Sequence, residues 1–359
     1  MNFTDYLTQK LPAVEAEIMR GLPSAPAAPA APAAPAAPAT ATSTPSERTR
    51  ADLNTYLYQP LAHFSAGGGK RVRPVLCCLG AEAVGGSAEV ALPVACAIED
   101  FQSAALIHDD IADKSELRRG EKCLYKTLGT GLAINVGDSA LVNVVRRVTV
   151  ADHLSDQLKI RVIDALLAME EHTLEGQALD LGWAQNERWD VTSEQYLFMA
   201  LSKTAYYSAA YPLVLGALIG GADQKTLDAL KDFGLKVGLA FQLQDDLLNL
   251  VGNAEVQGKD FRSDITEGKR TLAVVYALEH LGPAEKTELV SILSAHTGDT
   301  LKLQRAVELM ESANAIKFVR THALALVDEA KHVLENVILT EDARDTLLSM
   351  ADFFVNRER

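Results

Sequence analysis

The chain has 359 residues, of which 48% are hydrophobic and 23% charged, an ordinary globular composition with enough length to bury a large core. Its formal net charge of -14 excludes the basic excess that non-specific nucleic-acid or anionic-membrane binding requires, so a polyanionic ligand would be held by local cations. No apolar run approaches the roughly 18 residues of a membrane span, and the N-terminus lacks signal-peptide order. We expect a cytoplasmic protein without stable membrane insertion or nucleic-acid partners.

Three segments are predicted along the chain. Residues 1–22 form an amphipathic helix, because large apolar side chains recur at helical spacing from Phe3 to Leu22. Residues 23–46 repeat proline and alanine, and the repeat PAAPAAPAAPA offers no large apolar side chain to bury, so it is predicted to be a solvated linker. Ser46 can cap a helix that begins at Glu47 or Arg48, and residues 47–359 are predicted to form one large domain.

Beyond Ser46, apolar residues are spaced by three and four positions almost to the C-terminus, and strand-like alternation is nearly absent. This pattern predicts an all-α helical bundle. The cysteines lie mostly in apolar runs without a CxxC pair, which predicts buried thiols rather than disulfides or a zinc site. The longest predicted helical segments are Ala88–Ala112, Thr130–Val150, Ser155–His172, Ser193–Ile219, Gln224–Val251 and Leu301–Leu334.

The first acidic cluster is ALIHDDIAD, in which Asp109, Asp110 and Asp113 follow an apolar run. Asp109 and Asp113 are four residues apart, so on a helix they share one face about 6 Å apart along the axis. Such carboxylates repel unless a cation lies between them, and Mg²⁺ prefers a few carboxylates together with phosphate oxygens. The cluster predicts a Mg²⁺ site, with solvated carboxylates at a helix end as the alternative.

A second acidic cluster, FQLQDDLLN, places Asp245 and Asp246 at the end of another mainly apolar helix. A carboxylate at the end of an apolar helix is costly unless metal, hydrogen bonds or water stabilise it. Two such helices are expected to face each other across a cavity and to hold a diphosphate through several metal ions.

Candidate anion-binding residues lie in four motifs. Glycines permit close backbone approach to an anion, and arginine forks suit phosphate oxygens. A lysine among small and aromatic residues either extends to solvent or meets an anion, and the last motif alone is equally typical of a charged surface loop. The residues are Lys70, Arg71 and Arg73 in GGGKRVRP, Arg118 and Arg119 in RRG, Lys203 and Thr204 in SKTAYYSAA, and Lys259 and Lys269 in GKDFRSDITEGKRT.

Taken in order, GGGKRVRP, DDIAD, RRG, GD at 137–138, EGQALDL, SKT, FQLQDD and GKDFRSDITEGKRT resemble the trans-isoprenyl diphosphate synthase (polyprenyl synthetase) family, geranylgeranyl diphosphate synthases in particular. The similarity extends from about Arg50 to Thr271, and the C-terminal segment FFVNRER shows a weaker similarity. It implies an isoprenoid synthase-type helical bundle around a central cavity, with residues 47–359 as the catalytic domain. It also implies a homodimer.

The activity implied by the resemblance is Mg²⁺-dependent, head-to-tail condensation of isopentenyl diphosphate with an allylic diphosphate. Ionisation of the allylic substrate leaves negative charge on diphosphate, which metals and fixed cations stabilise, so no covalent enzyme nucleophile is needed. The resemblance assigns Asp109, Asp113 and Asp245 to three Mg²⁺ ions, with Mn²⁺ as an alternative ion, and assigns Asp110 and Asp246 to their support.

The resemblance also assigns the substrate contacts. Isopentenyl diphosphate would be held by one set of cations and the allylic diphosphate by another, while two polar side chains would face the developing allylic cation. The three sets are Lys70, Arg73 and Arg119, with Gln102 nearby; Arg118, Lys203, Lys259 and Lys269; and Thr204 with Gln242.

The sequence departs from the family pattern at four points. Asn249 stands where a third aspartate is usual, Gln102 where histidine is frequent, and Ala273 where proline is frequent. The proline- and alanine-rich linker is an insertion. None of these removes a primary ligand, so an active enzyme is expected.

Product length is predicted from the residues before the first acidic cluster. Ala104 and Ala105 occupy positions five and four before Asp109, where short-chain members carry an aromatic residue, and Phe101 lies about one turn, roughly 5 Å, further along the helix. This favours Phe101 as the floor of the elongation tunnel and geranylgeranyl diphosphate as product. If Phe101 instead packs outward, Leu141 or Val145 would limit a longer polyprenyl product.

Three other functions compete with this prediction. A class I terpene cyclase shares DDxxD but usually carries an Asn/Ser/Glu metal motif and lacks GGGKRVRP. A non-catalytic subunit of a heteromeric synthase usually loses one acidic cluster, whereas both are present here. A phosphoanion-binding scaffold would explain the cations but not two acidic clusters at the ends of apolar helices.

Overall fold

A computed structural model describes residues 1–25, 45–252 and 261–356. The fold is all-α, as the apolar spacing predicts, apart from one short hairpin. The helices are α1 (Phe3–Arg20), α2 (Glu47–Leu53), α3 (Gln59–Ala66), α4 (Val72–Ala83), α5 (Ala88–Ala112), α6 (Leu124–Leu128), α7 (Thr130–Thr149), α8 (Asp156–Gln185), α9 (Ser193–Ala200), α10 (Tyr211–Ile219), α11 (Gln224–Val251), α12 (Ser263–Thr266), α13 (Leu272–His280), α14 (Pro283–Ser294), α15 (Thr300–Ser312), α16 (Ala315–Leu334) and α17 (Glu341–Asn356), with π-helical segments at Asn54–Tyr58 and Leu201–Ala210. The strands are β1 (Leu117–Arg118) and β2 (Glu121–Lys122), which pair antiparallel.

Several helix boundaries follow the sequence prediction, but α8 extends to Gln185 instead of ending at His172, and the π-helical segment divides the predicted helix Ser193–Ile219. The bounds of α5 and α11 are those predicted, and Ser46 caps α2 by accepting a hydrogen bond from the Thr49 backbone N–H at 3.1 Å. The predicted segment Leu301–Leu334 is instead two helices, because Asn314 adopts a left-handed conformation (φ 57°) between them. A helix cannot continue through such a residue.

The chain forms two compact units. The larger unit comprises Met1–Gln9, Leu76–Ala91 and Ile160–Arg359, and the smaller unit comprises Lys10–Val75 and Leu92–Lys159. The prediction that residues 47–359 form one catalytic domain stays a prediction. Most of the linker, residues 26–44, lies outside the described residues.

Glycines allow close helix packing in the larger unit. A Cβ atom on Gly216 of α10 would lie 1.8 Å from the backbone oxygen of Cys77 on α4, and one on Gly80 of α4 would lie 2.3 Å from the backbone oxygen of Leu213. Only glycine permits such an approach. α11 packs against α16 and against the π-helical segment Leu201–Ala210, and Tyr196 of α9 donates a hydrogen bond to Asp246 of the second acidic cluster on α11.

Buried polar contacts fix the end of α1 in the smaller unit. Arg147 on α7 pairs with Asp100 on α5, and its guanidinium also donates to the backbone oxygens of Glu17 and Ile18. Asn143 donates to the Gly21 oxygen at 3.0 Å. These donors satisfy carbonyls that a helix end leaves unpaired. The first helix is therefore part of the core.

The apolar helix α5 is a core helix. In the described part of the chain it is the one helix long and apolar enough to cross a membrane by length and composition, contrary to the expectation that no run comes close. However, 67% of its most apolar stretch is buried, and its Glu99 and Asp100 pair with buried arginines. All four cysteines are buried, and none forms a disulfide.

Candidate active site

A cavity in the larger unit collects many of the predicted residues. It is bordered by α8, α9, the π-helical segment, α11 and the segment around Lys269. Its walls combine carboxylates with cations and with neutral hydrogen-bonding groups. The lining residues are Asp180, Tyr196, Met199, Ala200, Lys203, Thr204, Gln242, Asp246, Asp264, Lys269, Arg270 and Thr271.

The π-helical segment positions Lys203 and Thr204. Helices rarely adopt the wider i→i+5 turn except as bulges, which are frequent at functional sites. Gly176 on α8 lies against this segment, and a Cβ atom there would lie 2.2 Å from the Lys203 backbone nitrogen. One turn further along α8, Asp180 pairs with the Lys203 ammonium. The backbone and the charged end of Lys203 are therefore both set by α8.

A hydrogen-bond chain links the π-helical segment to the second acidic cluster. Thr204 donates to Gln242 Oε1 at 2.8 Å, and Gln242 Nε2 donates to Asp246 Oδ1 at 2.8 Å. Tyr196 donates to the other oxygen of Asp246. Thr204 uses its only proton in this chain, so its oxygen lone pairs remain available to a positive centre.

Carboxylates crowd one side of the cavity. Burial raises the pKa of Asp246 to about 8, with the negative charge of Asp264 as the next cause. Burial also raises the pKa of Asp264 to about 6, opposed by Lys269 at 3.6 Å. Lys269 also pairs with Glu267 at 2.7 Å. The neighbouring Asp245 is half-buried. Ionising these carboxylates together is costly unless further positive charge is present.

Asn249, which replaces the usual third aspartate, has a structural contact. Its amide nitrogen donates to Ser263 Oγ at 3.0 Å, and its side-chain oxygen accepts from the Asp264 backbone N–H at 3.2 Å. An aspartate could accept but could not donate through this side chain. Asn249 therefore helps to hold Asp264 near the cavity. Lys259 lies outside the described residues.

The first acidic cluster lies in the smaller unit at the end of α5. Asp109 is half-buried and Asp113 exposed, whereas Asp110 is buried. Arg118 donates to Asp110 Oδ1 from Nε at 2.9 Å and also from Nη2. The structure thus pairs Arg118 with Asp110, while its predicted contact with the allylic diphosphate stays a prediction.

The glycine-rich motif shows a division between structural and candidate binding residues. Arg71 is buried with φ 47°, and it donates to Glu15 at 2.8 Å and Glu99 at 2.7 Å. It anchors the loop that carries Lys70 and leads into α4, which carries Arg73. A Cβ atom on Gly69 would lie 3.4 Å from Arg119 Nη2, so the glycines admit Arg119 beside this loop.

The hairpin β1–β2 presents Arg119. Arg119 and Gly120 form its two-residue turn with φ 54° and 85°, the pattern of a type I′ turn. Arg119 Nη1 donates to the Phe64 oxygen at 3.2 Å, and its guanidinium lies 5.5 Å from the Phe64 ring centre. The predicted partners Lys70, Arg73 and Arg119 therefore come from one unit.

Comparison with known proteins identifies the family. A family model described as polyprenyl synthetase matches residues 54–310, more than half of the chain. The chain belongs to the polyprenyl synthetase family. It is therefore a prenyltransferase that builds prenyl diphosphates, in a family that uses isopentenyl and allylic diphosphates and depends on divalent metal ions.

The synthase resembles several characterised relatives. A short chain isoprenyl diphosphate synthase of Methanothermobacter thermautotrophicus is 41% identical over 299 residues, which are 82% of this chain and 89% of the relative. A geranylgeranyl pyrophosphate synthetase from Pyrococcus horikoshii superposes with a TM-score of 0.84 at 28% identity, covering 99% of both chains. A geranylgeranyl pyrophosphate synthase from Corynebacterium glutamicum, solved with isoprenyl diphosphate and magnesium, has a TM-score of 0.80 at 28% identity over 98% of this chain and 97% of its own.

Sequence reasoning assigned no role to several residues that line the synthase cavity. Tyr196 lies seven residues, two helical turns, before Lys203, so the spacing could have placed both residues on the same face. Asp180 lies in the motif EGQALDL, but no function was predicted for it. For Arg270 the neighbouring Lys269 was the only signal, because its burial depends on contacts with a distant segment.

The predicted chain-length residues differ in their surroundings. Ala104 is fully buried in an apolar cluster with residues of α3 and α7, and Leu141 packs against this cluster. Phe101 is buried, whereas Ala105 is half-buried. The small side chain at Ala104 and the alternative floor at Leu141 thus belong to the same cluster of the synthase.

Proposed function

We propose that the synthase catalyses Mg²⁺-dependent, head-to-tail condensation of isopentenyl diphosphate with allylic diphosphates, with geranylgeranyl diphosphate as the main product. The observation that carries the proposal is the cavity of the larger unit. There Lys203 and Lys269 supply positive charge for a diphosphate, and the Thr204–Gln242 pair supplies neutral oxygens for a carbocation. Ionisation of an allylic diphosphate creates both charges.

The proposed metal ligands are Asp109, Asp113 and Asp245, with Asp110 and Asp246 in support, for three Mg²⁺ ions that Mn²⁺ can replace. The donor set fits hard dications. Asp246 has a raised pKa beside other carboxylates, and Asp110 Oδ2 is buried without a hydrogen-bond partner among the described residues. Mg²⁺ prefers a few carboxylates together with substrate phosphate oxygens, which such a donor set leaves room for. Bound Mg²⁺ supplies positive charge to the leaving diphosphate.

The allylic diphosphate would be bound by Lys203, Lys269 and Arg118, and by Lys259. Lys203 now pairs with Asp180, and Lys269 pairs with Glu267 at 2.7 Å. Each lysine ammonium has three donors, so it can contact phosphate oxygens while it keeps a carboxylate partner. The carboxylates hold the lysines in place before the substrate arrives, which lowers the entropic cost of binding.

Thr204 and Gln242 would stabilise the allylic cation. The chain through Gln242 to Asp246 fixes the direction of the Thr204 proton and leaves the Thr204 oxygen lone pairs for the cation. Tyr196 donates a hydrogen bond to the other oxygen of Asp246 and thereby limits rotation of the side chains in this hydrogen-bond series. Preorganised dipoles stabilise charge better than groups that must reorient during the reaction.

Isopentenyl diphosphate would be bound by Lys70, Arg73 and Arg119, with Gln102 nearby. Support comes from the smaller unit, where Arg119 lies against the glycine-rich loop whose shape Arg71 fixes. Gln102 is half-buried on α5, two helical turns before Asp109. The double bond of bound isopentenyl diphosphate attacks the allylic cation, and the released diphosphate accepts the proton.

We propose a twenty-carbon product because the residues five and four positions before Asp109 are small and Phe101 lies about one turn further along the helix. Ala104 and Ala105 lack the aromatic side chain that would end elongation at a shorter product, and Phe101 is large and buried. A product longer than twenty carbons would place the floor at Leu141 or Val145 instead.

We also propose that the synthase is a cytoplasmic homodimer. Along α8, Ile160, Leu167 and Leu174 recur every seven residues, two helical turns, and are 69%, 46% and 64% exposed. A continuous exposed apolar stripe marks an interaction surface. We infer that a second copy of the chain covers this stripe, as in a homodimer.

The test is to incubate the purified chain with isopentenyl diphosphate and, separately, with dimethylallyl, geranyl or farnesyl diphosphate, with Mg²⁺ or a chelator. The dephosphorylated products are then sized by mass spectrometry. A metal-dependent twenty-carbon alcohol is expected. Longer alcohols would support the proposed condensation but would place the floor of the elongation tunnel beyond Phe101. Cyclic hydrocarbon from the primer alone, or no product with any primer, would overturn the proposal.

A further inference from the structure

Arg270 is a buried cation in the wall of the larger-unit cavity. It directly follows Lys269 and is 4% exposed. Its Nε donates to the Arg188 backbone oxygen at 2.9 Å, and its Nη1 donates to the Gly268 backbone oxygen at 2.7 Å. The guanidinium carbon lies 3.9 Å from the centre of the Trp189 ring. These contacts fix the plane of the guanidinium group.

The charge of Arg270 lacks the counter-ion that other buried arginines have. In the described ranges, Arg71 pairs with Glu15 and Glu99, and Arg147 pairs with Asp100. Arg270 donates only to backbone oxygens and has no carboxylate within 4.0 Å in the same ranges. Burial lowers the pKa of Arg270, and the negative charge of Asp180 only partly opposes this effect.

The third nitrogen of Arg270 is also unsatisfied. Nη2 is buried and has no hydrogen-bond partner among the described residues. An unpaired buried charge with an unused donor is costly, and such groups occur where a ligand completes them. The Trp189 face stabilises the guanidinium but cannot accept a directed hydrogen bond as a phosphate oxygen does.

We propose that Arg270 is a third diphosphate-binding cation of this cavity, with Nη2 donating to a phosphate oxygen beside Lys203 and Lys269. The inference rests on the proposed function, in which those two lysines bind the allylic diphosphate. A guanidinium held by two carbonyls and a tryptophan can reach the anion without losing rotational freedom on binding.

The experiment measures the binding of inorganic pyrophosphate in the presence of Mg²⁺ by isothermal titration calorimetry. Arg270→Gln removes the charge and should raise the Kd about 10- to 100-fold, the effect of a charge-assisted hydrogen bond. Arg270→Lys keeps the charge and should recover at least a third of the lost affinity on a logarithmic scale. The matched control is Arg320→Gln, which removes an exposed arginine from α16 of the same unit and should change the Kd less than 2-fold.

Two readouts separate binding from a purely structural role. The Kd of the wild-type protein should rise more steeply with NaCl than that of Arg270→Gln, because one fewer cation contacts the anion. A Kd within about 3-fold of wild type in both Arg270 variants would overturn the inference, whatever happens to their melting temperatures. Equal salt dependence of wild type and Arg270→Gln would overturn it too. If Arg270→Gln does not fold, Arg270→Met, which also removes the charge, is judged by the same criteria.

Turnover of the wild-type enzyme distinguishes this inference from the proposed function. If the wild type forms prenyl products but Arg270→Gln binds pyrophosphate normally, only the Arg270 contact is refuted. If the wild type forms no product while pyrophosphate binding depends on Arg270, the contact is supported and the condensation is refuted.

Discussion

Replacing Gly176 with alanine is expected to displace Lys203. The new Cβ atom would lie 2.2 Å from the Lys203 backbone nitrogen and 2.6 Å from its Cα atom. Because both are backbone atoms, side-chain rotation cannot relieve the overlap. α8 and the π-helical segment must separate by about 1 Å to restore ordinary van der Waals contact. The Lys203 ammonium, which pairs with Asp180 on the same helix, would move with its backbone.

A misplacement of about 1 Å in a substrate-positioning group costs about 100-fold in rate. We therefore expect kcat/KM for the allylic diphosphate to fall about 100-fold in Gly176→Ala, and overpacking to cost about 1–3 kcal/mol of stability. The matched control is Gly182→Ala on the same helix, where the new Cβ atom meets nothing within 4 Å. It should keep full activity and gain up to about 1 kcal/mol, since alanine favours a helix over glycine.

The assay follows incorporation of labelled isopentenyl diphosphate at varied farnesyl diphosphate concentrations, with urea unfolding to compare stabilities. Circular dichroism verifies that both alanine variants are folded. A folded Gly176→Ala enzyme within about 3-fold of wild type would refute the idea that the contact between α8 and Lys203 sets the geometry. Equal losses in both variants would show that the effect belongs to α8 in general.

Three further predictions follow from buried or exposed side chains of the same enzyme. Burial raises the pKa of Glu170 from 4.5 to about 7, so the native state loses stability as the pH rises through that interval. After allowance for partial exposure, Glu170→Gln should be about 1–2 kcal/mol more stable than wild type at pH 8 in urea unfolding but little different at pH 5. The control Glu171→Gln, at an exposed position of the same helix, should show no such pH dependence. Phe101→Ala should shift the product, sized by mass spectrometry, beyond twenty carbons, and an unchanged product would place the floor elsewhere. Leu167→Asp puts a charge into the apolar stripe of α8 and should convert the proposed homodimer to monomer in light scattering, whereas a variant that is still dimeric would exclude this surface as the interface.

Several elements of the fold and site could be predicted locally. Apolar spacing predicted the bounds of α5 and α11, and Ser46 was predicted to cap α2. Lys203, Asp246 and Lys269, which line one cavity, were candidates from charge and spacing alone, whereas Gln242 became a candidate only through the family resemblance. The break at Asn314 was missed because the helical spacing of apolar residues continues on both sides of it.

The helical class, the candidate ligands and the family could be predicted because they depend on residue type and short-range spacing. The role of each charge, in contrast, depends on the tertiary contacts. Arg71 and Arg270 are both arginines beside lysines in glycine-containing motifs, yet Arg71 meets two carboxylates and Arg270 meets only carbonyls and Trp189. Partners so distant along the chain are brought together by packing, and burial then determines whether a charge is neutralised within the protein or left for a ligand.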